Sequence, residues 1–276
     1  MTTYVDPRVA HGRARHELGE NPRLFPVGSE RLFEQVVLNA IGPKGMECPG
    51  SEFMNLLADK ALPALRQHGL DPLVYSGFGD RGMVWKFVTR DPETGVHGWT
   101  QRFVENPRQQ RRAVNLEIRI HALARCMQRN GVLSLDDIEA QTWCAIHLAP
   151  HVGLLAIKTG WRQLAIPSGD GGVFVGDAAT GSLRTYLKPG DNDRRSRWQT
   201  LIDLFPPFPA LSLDEVREGT SVVEWATPTL ERIRKFREIR YLLRFMNEEY
   251  SEMVDPADAR WANARRAARQ AEEQNG

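Results

Sequence analysis

Lysine is scarce in this chain. Six lysines stand against thirty arginines in 276 residues. Cysteine is scarce too. Cys48, Cys126 and Cys144 are odd in number and widely spaced, which argues against a disulfide framework and for reduced thiols in a cytoplasm. Long apolar runs are missing. The longest fall well short of the ~18 residues that a membrane-spanning helix requires, so no membrane association is expected. The stretch Met1–Asp6 lacks a basic region followed by an apolar one, so no export signal is expected. Net charge is nearly absent as well, at +1 from 36 basic and 35 acidic residues. What is plentiful is ordinary: 41% hydrophobic and 26% charged residues, which excludes a wholly disordered or collagen-like chain. The length suffices for a self-sufficient core. No stretch carries a family signature.

A GC-rich genome alone produces part of the arginine bias. Arginine is also the side chain that binds phosphate bidentately and stacks on bases. Its distribution therefore decides more than its total.

Residues 1–28, with Pro7, Gly12, Gly19, Pro22, Pro26 and Gly28, show no sustained period. They read as an extended arm on a single globular body, 29–276. A sub-boundary would fall near residue 131, although no linker marks it. Ser29 opens a helical pattern through Leu32, Phe33, Val36, Val37 and Ala40 that Gly42-Pro43 stops. Ser51 opens another, with Phe53, Leu56, Leu57 and Leu65 inward, a kink at Pro63 and an end at Gly69. Residues 83–88 and 96–103 are rich in β-branched and aromatic residues around the turn Asp91-Pro-Glu-Thr-Gly95, and predict a hairpin. Asn106-Pro107 predicts the start of a helix running to Gly131. Ser134 opens a further helix that Pro150 is expected to end.

Residues 153–158, 162–166, 172–176 and 183–187 then predict an antiparallel meander. A short helix follows at 194–205, then the stiff Pro206-Pro-Phe-Pro209. Ser212-Leu-Asp-Glu215 has capping-box spelling, and Thr227-Pro228 predicts a long helix to about Tyr250. Helices and hairpins thus come in blocks, which favours α+β, an antiparallel hairpin and meander packed against several amphipathic helices, over a doubly wound sheet.

Three constellations resemble chemical sites. Gly77-Phe-Gly79-Asp-Arg-Gly82 spells a dinucleotide motif, but the helix that would hold the pyrophosphate is replaced by a strand pattern, and a glycine-rich turn explains it better. Cys144, His147 and His151 have zinc-ligand chemistry at helical spacing, with Cys126 and His121 as the only distant fourth ligands. No metal is expected there, because Pro150 should turn His151 away from the other two. Asp170, Asp177, Asp191 and Asp193 surround glycine turns near Lys188, but the tripeptide of a metal-dependent nuclease is absent. Turn aspartates that bond their own backbone account for them. No cofactor and no catalytic residue is assigned.

The arginine faces are the strongest signal. On a helical wheel Leu116, Ile120, Leu123, Ala124 and Met127 share one arc, and Arg108, Arg111, Arg112, Arg119, Arg125 and Arg129 gather opposite. Phe236, Ile239, Leu242, Leu243 and Met246 repeat the design, with Arg234, Arg237, Arg240 and Arg244 across from them. Arg194, Arg195 and Arg197 form a third cluster. Asp136, Asp137, Glu215 and other acids offset the total. Solvated helix faces salt-bridged to those acids are one explanation, worth little energy per pair. The leading expectation is that the faces converge on one basic strip that neutralises the phosphates of DNA or RNA. Trp161 and Trp198 would be stacking residues, although tryptophans at such positions are more often core. The protein would be a cytoplasmic nucleic-acid-binding subunit of a larger complex of phage, mobile-element or defence type. A virion or secretion-machine component that meets its own copies through these faces, and a metal-dependent enzyme, are the alternatives.

Overall fold

The computed structural model describes residues 5–21, 25–26, 30–45, 47–48, 50–70, 72–76, 83–103, 111–188 and 199–235. Helix α1, Pro7–Glu20, begins where Asp6 accepts hydrogen bonds from the backbone of Arg8 and Val9, with Pro7 in the first turn. Both are good helix-start chemistry. Ala10, Ala14 and Leu18 form its buried stripe. The extended arm expected over 1–28 is therefore corrected to a helix over much of its length. Two of the three stripe residues are alanines, which leave little hydrophobic period to read.

Helix α2, Glu30–Gly45, is interrupted at Gly42 with φ 68°, where Gly-Pro was expected to stop it. Helices α3, Gly50–Leu56, and α4, Leu62–Gln67, are joined by one π turn over Leu57–Ala61. Pro63 has no N–H for the carbonyl of Asp59. The chain answers by widening to the i→i−5 bond from Leu62 N–H to Leu57 O, the usual relief of such a clash.

Seven strands form one sheet in the order β1-β2-β3-β4-β7-β6-β5. β1 is Leu73–Ser76, β2 Met83–Asp91, β3 Gly95–Phe103 and β4 Arg111–Arg119. β5 is Gln163–Pro167, β6 Val173–Asp177 and β7 Ser182–Leu187. The expected hairpin is β2–β3, paired from Met83↔Phe103 to Asp91↔Gly95. The expected meander is β5–β6–β7, antiparallel throughout. The two antiparallel blocks meet at a parallel seam, Glu117↔Ser182 and Ile118↔Leu183 of β4 and β7. The fold is α+β.

Two expected elements change identity. The helix foreseen from residue 107 to 131 is instead strand β4 followed by helix α5, Ile120–Asn130, closed by Gly131 at φ 68°. Leu116 and Ile118 are buried between half-buried Glu117 and Arg119, a period of two. Residues 116, 120, 123 and 127 also fit a helical wheel, and the coincidence spans the junction. Second, residues 153–158 are no strand. Helix α6, Glu139–Thr159, runs straight through Pro150. It packs on β4 and β5 and beneath α8, Leu213–Glu218, and α9, Thr220–Lys235. A helix covered on both sides is apolar all round and shows no stripe.

α8 carries the expected capping box between Ser212 and Glu215. α9 starts at Thr220 and contains Pro228 within it, so the start expected at Thr227-Pro228 moves back by two turns. Alternation on β2 divides the core. Trp85 and Phe87 join Trp99, Phe33, Phe53 and Leu57 in one cluster, whereas Val88 belongs with α1, α5, α6 and the meander in the other.

Candidate nucleic-acid interface

β4 decides where the expected arginines lie. Antiparallel pairing sets Arg102 of β3 opposite Arg111 and Gln101 opposite Arg112. These positions are at the sheet end where β1 finishes, β2 begins and β3 finishes, at Ser76, Met83 and Phe103. As neighbouring positions of a strand, Arg111 and Arg112 no longer share one face, as they would on a helix. Arg119 sits at the other end of β4, at the parallel seam. Its guanidinium donates to Ser182 Oγ at 2.9 Å and meets Glu117 Oε2 at 3.4 Å, while Ser182 Oγ donates to the same carboxylate oxygen at 2.8 Å.

On α9, Arg232, Arg234 and Lys235 are exposed. α6 packs against both α9 and β4, and most of the arginines of the expected strip lie outside the described residues. Arg108, Arg194, Arg195, Arg197, Arg237, Arg240 and Arg244 fall outside the described residues, as does Trp198. Trp161 is 6% exposed in the core, where no base can reach it. Gly77–Gly82 also fall outside; they connect β1 and β2, antiparallel neighbours, and strand β2 stands where a dinucleotide site needs a helix.

The Cys144, His147 and His151 set does not converge. Pro150 leaves α6 helical through His151, so the reason given for expecting no metal is corrected, yet the partners differ. Cys144 Sγ lies 3.6 Å from Pro167 O, and burial pushes its thiol up. His147 accepts from Lys86 Nζ through Nδ1 at 3.0 Å and donates from Nε2 to Arg217 O at 2.9 Å. No group of three His, Cys, Asp or Glu among the described residues has metal-site geometry. Burial lowers Lys86 to about 7. Burial and then the nearby Lys86 lower His147 to about 3.

Asp170 is the centre of a second buried network that the sequence did not reveal. Its carboxylate accepts from Ser168 Oγ at 2.5 Å, from Tyr186 Oη at 2.6 Å and from Gly172 N–H at 3.1 Å. Lys188 Nζ lies 3.3 Å away and also donates to Asn130 Oδ1 at 2.5 Å. Burial alone would raise Asp170, but these donors outweigh it and hold the carboxyl below its ordinary value. Asp177 caps its own turn through Ala179 N–H and Thr180 N–H, the role expected of a turn aspartate; Asp191 and Asp193 fall outside the described residues.

Aromatic side chains were missed as well. Phe205, Phe208 and Trp225 gather around a concave site of about 350 Å³. The ring centroids of Phe205 and Phe208 lie 5.1 and 4.8 Å from that of Trp225. No helix among the described residues is long and apolar enough to cross a membrane. Comparison with protein-family models, with curated proteins and with solved structures finds no match to this chain.

Proposed function

We propose that the protein binds nucleic acid, with arginines at the Phe103 end of the sheet as phosphate contacts, as a subunit of a larger assembly. The supporting observation is the register that sets Arg102 opposite Arg111 with Arg112 next to it. Like charges directly opposite on paired strands destabilise a sheet. A polyanion lying across them converts that cost into charge-assisted, bidentate hydrogen bonds. Exposed Arg232, Arg234 and Lys235 of α9 supply further charge. We place the protein in the cytoplasm because Cys48, Cys126 and Cys144 are all free thiols.

The test is binding of labelled single- and double-stranded oligonucleotides across a salt series. Phosphate contacts give a log–log slope of roughly −0.7 to −0.9 per neutralised phosphate. No binding at low salt, or a flat slope, removes the reading.

A further inference from the structure

The concave site at Phe205, Phe208 and Trp225 has walls that meet at a corner. The Phe208 and Trp225 ring planes stand at 82° with centroids 4.8 Å apart, and Phe205 leans on Trp225 at 34°. Planes at right angles leave no parallel gap for a flat ring; they suit a rounded group. Pro167, Pro206 and Pro207 complete the walls, and the volume of about 350 Å³ falls in the range of small-ligand pockets. Asp203, Pro206 and Pro207 are exposed, so the site opens to solvent.

The walls are fixed before anything docks. Helix α7, Gln199–Ile202, passes into a turn in which the N–H groups of Leu204 and Phe205 donate to Leu201 O and Ile202 O. α9 holds the chain beyond it at two points. Thr229 Oγ1 donates to Leu204 O at 3.1 Å, and Trp225 Nε1–H donates to Pro206 O at 3.0 Å. From the other side the β5–β6 turn brings Gly169, at φ 85°, so close that a Cβ there would lie 3.1 Å from the Phe208 ring. Asp170 pins that turn through Ser168 and Tyr186. A site that keeps its shape when empty binds without the cost of ordering.

What the walls offer selects the occupant. The indole N–H is already spent on Pro206 O, so no lining side chain among the described residues has a donor to give. Phosphate and other anions need such donors, and so do the solvated carbonyls of a proline-rich peptide. Asp203 is the one charged side chain among the described residues that line the site. It has a contact of its own in the chain, so it biases the sign of the occupant while the rings supply the affinity. Aromatic faces attract cations through the ring quadrupole. A primary ammonium brings three N–H donors, more than apolar walls can satisfy, and each one left unpaired is costly. A quaternary ammonium brings none, and its rounded methyl surface fits a corner of rings and prolines.

We infer that this site binds a quaternary, methylated ammonium group, seated against Phe208 and Trp225 with Asp203 at its edge. The site draws on none of the arginines of the nucleic-acid reading and stands apart from it.

The experiment titrates the full-length protein with choline, with the uncharged tert-butyl isostere of choline, and with two short peptides carrying either trimethyl-lysine or lysine. The readout is the Trp225 indole N–H signal, assigned with Trp225→Phe. Choline and the trimethylated peptide should shift it to saturation, and the tighter of the two tells a free ligand from a modified protein. The isostere and the unmodified peptide should each bind about ten-fold more weakly. Phe208→Leu, which keeps bulk without a ring, should weaken choline binding by about the same factor, and Phe208→Tyr should retain it. The isostere comparison uses the wild-type protein and so survives a variant that fails to fold. An isostere that binds as tightly as choline marks a merely apolar pocket and overturns the inference. So does wild-type affinity in Phe208→Leu, or a Trp225 signal that moves with a polyproline peptide and with neither methylated cation.

Discussion

The two antiparallel blocks of the sheet each bury an ionisable centre, and they solve the cost in opposite ways. In the β5–β7 block, Asp170 keeps its charge because hydroxyls, a backbone N–H and an ammonium converge on it. In the β1–β4 block, Lys86 faces His147, a second base, and no described carboxylate pairs with it. A buried charge with partners stays charged; one without them gives up its proton. The first centre is an anchor for a rigid turn. The second is a proton-sensitive seam between β2 and α6.

The largest loss of stability should come from removing the anchor. Asp170→Ala leaves Tyr186 and Ser168 without this acceptor and Lys188 with Asn130 alone. Losing this part-buried acceptor costs roughly 1–3 kcal/mol, measured by chemical denaturation at neutral pH. A loss below about 1 kcal/mol would mean that the network is incidental to the turn.

Next is the response to pH. Lys86 is depressed to about 7, while an unfolded lysine titrates near 10.4. Between these values the unfolded chain binds the extra proton, so stability rises with pH across that window by up to roughly 4 kcal/mol and is flat below it. His147, depressed to about 3, acts likewise between about 3 and 6.5, and its contribution is lost as pH falls through that range. Asp170, also depressed, holds its contribution above its unfolded value near 3.9 and loses it only in stronger acid. Lys86→Met should therefore stabilise the protein at pH 6, less a cost of about 1–3 kcal/mol for the unpaired His147 nitrogen. The advantage should vanish only above about pH 11, where the wild-type lysine is neutral in both states. A Lys86→Met curve parallel to wild type would show that the buried ammonium is solvated and that the contrast between the two centres is false.

How much of this was legible in the sequence depended on whether an element faced one environment or two. The β2–β3 hairpin was readable because Asp91 and Gly95 bracket its turn, and the β5–β7 meander because glycines punctuate it. The Ser212–Glu215 cap was readable because its chemistry is local. β4 was not, because a strand and a helix follow each other with no breaker at residue 119, and the arginines of both were summed onto one imaginary face. α6 was not, because burial on both sides removes amphipathicity. Neither buried centre could be seen: Lys86 and His147 are 61 positions apart, and Asp170 meets Tyr186 and Lys188 only through strand register. The concave aromatic site needed the chain to fold from residue 167 to 225 before it existed.

Arginine itself divides along the same line, and it yields the smallest stability effects with the clearest functional contrast. Arg119 closes the seam between the blocks through Glu117 and Ser182, although its side chain is 43% exposed. Arg119→Ala should cost about 1 kcal/mol or less and leave the salt slope of nucleic-acid binding untouched. Arg111 and Arg112 lie at the far end of the same strand, opposite Arg102 and Gln101. Replacing both with alanine relieves a like-charge pair and removes two strand-compatible side chains. The two changes offset, and stability should move by no more than about 0.5 kcal/mol. Binding should nevertheless weaken across all sequences, with the salt slope flattened by about one unit, because strand alternation sets position 111 and not position 112 on the face of Arg102. The pair of variants thus separates structural from functional arginine on one nine-residue strand. If the double variant is destabilised while its slope is unchanged, the Phe103 end is part of the scaffold and phosphate contacts must be sought elsewhere, beginning with Arg232, Arg234 and Lys235 of α9.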